Sequence, residues 1–448
     1  MTDFSSRRPP VDRRKFTSQS VEATIARLTR KIADPELAWL FANCFPNTLD
    51  TTVRHRTIDG KPDTFVVTGD IDAMWLRDSA AQVWPFLPLA RDDRNLRDLI
   101  AGVIRRQTKC ILIDPYANAF NDGRAKSPWA NDLTDMKPEL HERKYEIDSL
   151  CYPVRLAHGY WKATGDASVF DTTWREAMRL AVATLREQQR RRGTGPYHFQ
   201  RVSAVPYDTV PLGGYGNPSR DCGLIRSAFR PSDDACIYSF LVPSNMFAAV
   251  ALRALEEISL AETHDAVFAR ECAGFSDELR EALDITAVAG HPVHGPVYAY
   301  EVDGFGNALF MDDANIPSLL ALPYLGWCTA QEDRYRATRS FLLSEDNPYF
   351  YRGAAGEGIG GPHVGLDMIW PMGIIVRGLT STEDGEILKC LHMLKTTHAG
   401  TGFMHESFHK NDPANFTRGW FAWANTLFGE LILRLDAERP TLLSRPVI

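Results

Sequence analysis

Twelve segments with helical apolar spacing, strand patterns confined to two short stretches, and a polar-aromatic motif entering every second helix together predict an all-α fold. They fit an (α/α)6 barrel of six helical hairpins, with minor β and a long lid-like loop. The first helix, over 19–43, puts Val21, Ile25, Leu28 and Ile32 on one face, with a kink at Pro35 and an end before Pro46-Asn47. The same spacing recurs at 71–91, 95–109, 145–163, 168–192, 243–259, 263–287, 314–325, 331–344, 364–379, 382–397 and 414–437. Period-2 alternation is confined to Thr64–Val67 and Val297–Val302. Residues 1–18 read as a disordered leader, which leaves a single domain over 19–448.

The motifs are GDIDAMWLRD at 69–78, KYEIDS at 144–149, FRPSDDAC at 229–236, MDDANIPS at 311–318, GIGGPHVGLD at 358–367 and HESFHKNDP at 405–413. If the helices they introduce form the inner ring, six motif-bearing loops meet at one mouth, a concave place of the kind that ligand sites favour. No fixed-period repeat is visible, so a solenoid is disfavoured. The connection from Gly193 to Val242 is too long for a plain linker, and its aromatics and FRPSDD motif favour a lid over that mouth.

Bulk properties narrow the class. In 448 residues, 50 Lys+Arg stand against 57 Asp+Glu for a net charge of −7, which argues against nucleic acid as main partner. No apolar run approaches the roughly 18 residues that span a bilayer, so no membrane partner is expected. Arg13-Arg14-Lys15-Phe16 resembles a twin-arginine signal, but a polar amphipathic stretch follows it; the expected compartment is cytoplasmic. The eight cysteines form no CxxC pair and read as small core residues. A monomer or weak homo-oligomer is expected.

The stretch Thr68 to Leu87 sets Asp70, Asp72, Arg77 and Asp78 around Trp75 in otherwise apolar sequence. That mixture suits a sugar, whose hydroxyls pair with carboxylates and a guanidinium while its C–H face packs on an indole. Glycosidic hydrolysis needs two carboxyl groups, one to protonate the leaving oxygen and one to activate water or attack. Asp233 and Asp234 follow Pro231-Ser232, so one can face the sugar while the other caps or orients. Glu406 lies between glycines and a proline, on a loop, and Asp233 with Glu406 is the preferred pair. His363 reads as a rim imidazole or a buried one. Asp148, Asp312 and Asn315 join the candidate binding residues, although capping is expected to take one of Asp312, Asp313 and Asn315. Trp420 and Trp423, three apart, read as a core stripe. HESFH also matches the H-E-x-x-H zinc signature, with Glu430 the nearest third ligand, but nearby glycines and Pro413 leave little room for the helix that signature requires.

The runs TGDIDAMWLRDSAAQVWPF, KYEIDSLCYP, FRPSDDAC with LVPSNMF, MDDANIPSLLALPYLG and MHESFHKNDPANFTRGWFAWAN resemble glycoside hydrolase family 125 from about Arg54 to Leu435. The resemblance implies an (α/α)6 barrel and an inverting, exo-acting α-1,6-mannosidase without a metal or other cofactor. It also implies an α-linked manno-oligosaccharide or N-glycan fragment as substrate, the general acid at Asp233, with Asp234 the alternative, and the base at Glu406. Asp72, Trp75, Arg77, Asp78, Asp148, Asp234, Asp312, Asn315 and His363 would hold the sugar. A different (α/α)6 glycosidase with a glucose preference, and less favourably a zinc peptidase, are the alternatives.

Overall fold

A computed structural model describes residues 4–447. Its helices form the two rings of an (α/α)6 barrel. The inner ring runs through α-helices Leu76–Val83, Ile147–Thr164 and Val242–Ala261, the irregular stretch 318–325, then Pro371–Leu379 and Ala422–Glu438. The last of these packs on the first and closes the ring. Outside lie Arg94–Ile113, Thr172–Glu187, Ala266–Thr286, Asp333–Leu342 and Asp384–Thr396, with Gln19–Lys31 and Pro35–Cys44 covering the seam. One buried apolar cluster extends from Val21 to Val447. Six sheets of two or three short strands decorate the helix ends.

The two rings begin their helices differently. Three of the five outer helices open on Asp93, Asp171 and Asp265, whose side chains accept from backbone N–H groups of the first turn, while those that follow Glu332 and Glu383 have no side-chain cap. The five regular inner helices follow Trp75, Glu146, Leu241, Trp370 and Phe421, and none has a side-chain cap. Uncapped N–H groups and the positive helix ends gather at one mouth, where they favour carboxylates.

Several expected elements differ. The 19–43 segment is two helices, because Asp34 caps a new start at Pro35 rather than letting the first helix bend. Over 314–325 there is no helix: Pro317 and Pro323 remove donors, and the chain makes mostly three-residue turns such as Ala321 N to Ser318 O at 3.2 Å. The 364–379 helix begins only at Pro371, since Gly365 and Asp367 take left-handed backbone angles. The 414–437 helix begins at Ala422, because Asp412–Thr417 pairs instead with Ser407–His409. Pro85 and Pro88 divide 71–91 into short pieces.

The expected leader is ordered over its described part, while residues 1–3 lie outside the described residues. Buried Arg8 pairs with Asp50, Nε to Oδ2 at 2.7 Å, and with Glu22; Ser5 O accepts from Trp39 Nε1 at 2.7 Å. The lid-like connection carries one 3-10 turn, Pro206–Asp208, and is packed down by buried Tyr197, Phe199, Leu224 and Ile225. Tyr197 ties it to the mouth, its hydroxyl accepting from Tyr145 N at 2.9 Å and donating to Arg143 O at 3.0 Å.

Candidate active site

A pocket opens at the mouth, lined among others by Trp75, Arg77, Asp78, Asp233, Asn315, His363, Trp370, Glu406, Arg418 and Trp423. Asp233 reaches it from a turn. Asp233 N donates to Arg230 O at 2.9 Å with Pro231 second in the turn, and Asp233 takes φ 65°, which Asp tolerates better than most residues. Arg230 anchors the turn on buried Glu301, Nε to Oε1 at 2.6 Å, and Glu301 Oε2 accepts from Ile237 and Tyr238 backbone N–H groups. The adjacent carboxyl faces the other way. The Asp233 side chain is 23% exposed and lines the pocket, whereas that of Asp234 is 2% exposed and lies behind it, bonded to His363.

Arg77 is the electrostatic centre. Its guanidinium meets Glu146 directly, Asp233 Oδ1 at 3.3 Å, Asp148 Oδ2 at 3.5 Å and Asp78 Oδ2 at 3.5 Å. Burial pushes Glu146 well above the usual carboxylate range and Asp148 up to about 6, with Arg77 opposing in both. Burial also raises Asp78. For Asp233 burial again favours the neutral acid, but Arg77, a hydrogen bond from Glu146 and Lys144 outweigh it and hold the group low. Burial disfavours a charged His363, yet the bond to Asp234 and the charges of Asp233 and Glu406 win, raising it to about 9.

Glu406 enters from a different loop, immediately before strand Ser407–His409, with Arg418 Nη1 3.5 Å from its Oε1. HESFH is therefore extended rather than helical, which sets its histidines apart: His405 stacks on Phe416 at 3.9 Å, and His409 Nδ1 accepts from Asn411 N. Glu430 is occupied elsewhere, accepting from Trp84 Nε1 at 3.1 Å and Tyr324 Oη at 2.9 Å. The helical geometry that the zinc signature demands is not formed.

Of the expected sugar-binding residues, Trp75, Arg77, Asp78, Asn315 and His363 line the pocket. Asp312 does not. It is fully buried and accepts from Leu319 N at 2.9 Å and Leu320 N at 3.0 Å, so it ties down the irregular stretch that follows, where no helix forms to be capped. Asp148 lies buried behind Arg77, and Asp72, 71% exposed, pairs with Arg54 outside the pocket. Trp423 is buried in the core, as read, and also lines the pocket, while Trp420 precedes the helix and packs near Gly69. Ser232, Trp370, Phe421 and Arg418 were not singled out, although each adjoins one of the six motifs or lies within it. Trp75 Nε1, Trp370 Nε1 and Ser232 Oγ are buried without a protein partner, the donors a hydroxyl-rich ligand would use.

The mouth of this (α/α)6 barrel holds a carboxyl from each of two loops, the pair of groups that glycoside hydrolysis calls for. The chain belongs to glycoside hydrolase family 125, the metal-independent α-mannosidases, whose family model matches residues 34–433. It is 43% identical to the meiotically up-regulated gene 157 protein of Schizosaccharomyces pombe, over 98% of this chain and 90% of that protein. A metal-independent α-mannosidase of Streptococcus pneumoniae, solved in a non-productive complex with α-1,6-mannobiose, superposes with TM-score 0.91 at 42% identity, covering 95% of this chain and all of that one. Cellobiose 2-epimerase from Spirochaeta thermophila, 12% identical with TM-score 0.53 over 94% of this chain and 99% of its own, shares the fold.

Proposed function

We propose that this α-mannosidase removes one non-reducing-end mannose from α-1,6-linked mannosides in a single inverting displacement. The observation that carries the reading is that Asp233 and Glu406 line one pocket from different loops while Asp234 is withdrawn to His363. Asp233 protonates the glycosidic oxygen as the C1–O bond breaks. Glu406, oriented by Arg418, takes a proton from the water that attacks C1 from the opposite face. Inversion needs about 6.5–9.5 Å between the carboxyls, with room for that water. Trp75 and Trp423 offer faces to the sugar's C–H groups, and Asp78, Asn315 and His363 offer partners to its hydroxyls. The α-1,6-mannobiose bound by the Streptococcus pneumoniae relative supports this linkage.

Glu406→Gln tests the assignment. Turnover of α-1,6-mannobiose falls by about 10²–10⁴, the worth of a general base, while the disaccharide still binds. Undiminished turnover removes Glu406 from the mechanism.

A further inference from the structure

Four carboxyl groups, Asp78, Glu146, Asp148 and Asp233, surround the single Arg77 guanidinium. The other cations nearby are engaged elsewhere. Lys144 Nζ reaches Asp208 Oδ1 at 2.7 Å and the Asp233 carbonyl at 2.8 Å, with Glu142 at 3.5 Å, and His363 is held by Asp234. Like charges this close in a buried site cannot all ionise, so the cluster retains protons.

Glu146 is placed to pass one on. Its side chain is fully buried, accepts from Ser149 Oγ at 2.7 Å, and shares two donors with Asp233. Two donors clamp the pair. Arg77 bonds Glu146 and Asp233 Oδ1, and Asn118 Nδ2 reaches Glu146 Oε1 at 3.4 Å and Asp233 Oδ1 at 3.1 Å. Asp148 has no such bridge to Asp233 beyond Arg77 itself.

We propose that Glu146 stores the proton destined for the leaving group and hands it to Asp233, the carboxyl clamped beside it by Arg77 and Asn118, when substrate fills the pocket. The step balances. The Glu146 O–H bond breaks as an Asp233 O–H forms; that proton goes to the glycosidic oxygen as C1–O breaks; water adds hydroxide to C1 and leaves its proton on Glu406. Solvent then takes the Glu406 proton and restores one to the pair. Glu146 is thus a positioning residue that acts through Asp233, and the inference rests on Asp233 being the acid.

The test compares two substrates, α-1,6-mannobiose, whose leaving sugar needs protonation, and 2,4-dinitrophenyl α-mannoside, whose phenolate departs without it. Glu146→Gln keeps the donor to Asp233 but removes the exchangeable acid proton. Its kcat/KM falls by about 100-fold or more on mannobiose and by less than about tenfold on the aryl mannoside. Asp233→Asn shows the same selectivity. Equal losses on both substrates for Glu146→Gln, or none, beside a selective Asp233→Asn overturn the proton store alone; an unselective Asp233→Asn overturns the acid assignment and the store with it. Should Glu146→Gln not fold, Asn118→Ala reads the same quantity, with about a tenfold loss confined to mannobiose, the worth of one charge-assisted hydrogen bond. An unselective loss there counts against the proposal.

Discussion

His363 Nδ1 lies 2.9 Å from Asp234 Oδ1, so the second carboxyl of the Ser-Asp-Asp turn serves the imidazole while the first lines the pocket. The pairing raises His363 from its ordinary value to about 9. Its folded value therefore exceeds its unfolded one. The stabilisation from this pair is complete below about 6.5 and is lost as pH climbs through about 9. In Asp234→Asn the imidazole should titrate well below 9, which proton-detected nitrogen NMR of the ring measures directly. An unchanged titration would mean that Asp234 does not hold the charge.

Removal of Arg77 leaves its carboxyl ring without the central cation. Breaking a buried pair by deleting one partner costs about 3–5 kcal/mol, and Arg77→Met should lower unfolding stability by that order in urea titrations. Arg77→Lys is not a rescue, because an ammonium cannot span Asp233 and Glu146 as the planar fork does. A melting curve of the lysine variant that matches the parent would contradict this account.

Asp72 offers the opposite expectation. It is exposed and paired with half-exposed Arg54 at 2.6 Å, a surface pair worth at most about 1 kcal/mol. Asp72→Ala should keep kcat/KM within about fivefold of the parent.

Gly429 lies in the last inner helix, where alanine would ordinarily gain about 1 kcal/mol. A Cβ there would stand 2.5 Å from Phe45 Cδ2 and 3.1 Å from Phe45 Cα, and the backbone cannot withdraw as a flexible side chain would. Overpacking costs of about 1–3 kcal/mol outweigh the helical gain, so Gly429→Ala should lower the melting temperature.

What sequence could and could not reveal follows the range of the forces involved. Arg77, Asp233 and Glu406 were legible because charged side chains among glycine, proline and tryptophan have few structural uses other than a site. Glu146 was not. In KYEIDS two carboxyls stand two apart across a helix start, and only the fold decides that Glu146 shares Arg77 and Asn118 with Asp233 while Asp148 sits behind Arg77. Trp423 is the core residue its spacing suggests, but its place in the pocket lining and the exclusion of Trp420 from the helix depend on the hairpin of Asp412–Thr417 with Ser407–His409, which holds the preceding segment extended. The stretch 314–325 reads as helical from its apolar spacing, but Pro317 and Pro323 lack the N–H groups a helix needs and Asp312 accepts from Leu319 and Leu320 instead.

The central claim is a single displacement run by Asp233 and Glu406, and proton NMR of the anomeric signals during the first turnovers of α-1,6-mannobiose tests it most directly. Inversion predicts that β-mannose appears first and converts to the α-anomer only later, by mutarotation. Initial release of α-mannose would require a covalent or double-displacement route and would contradict the account.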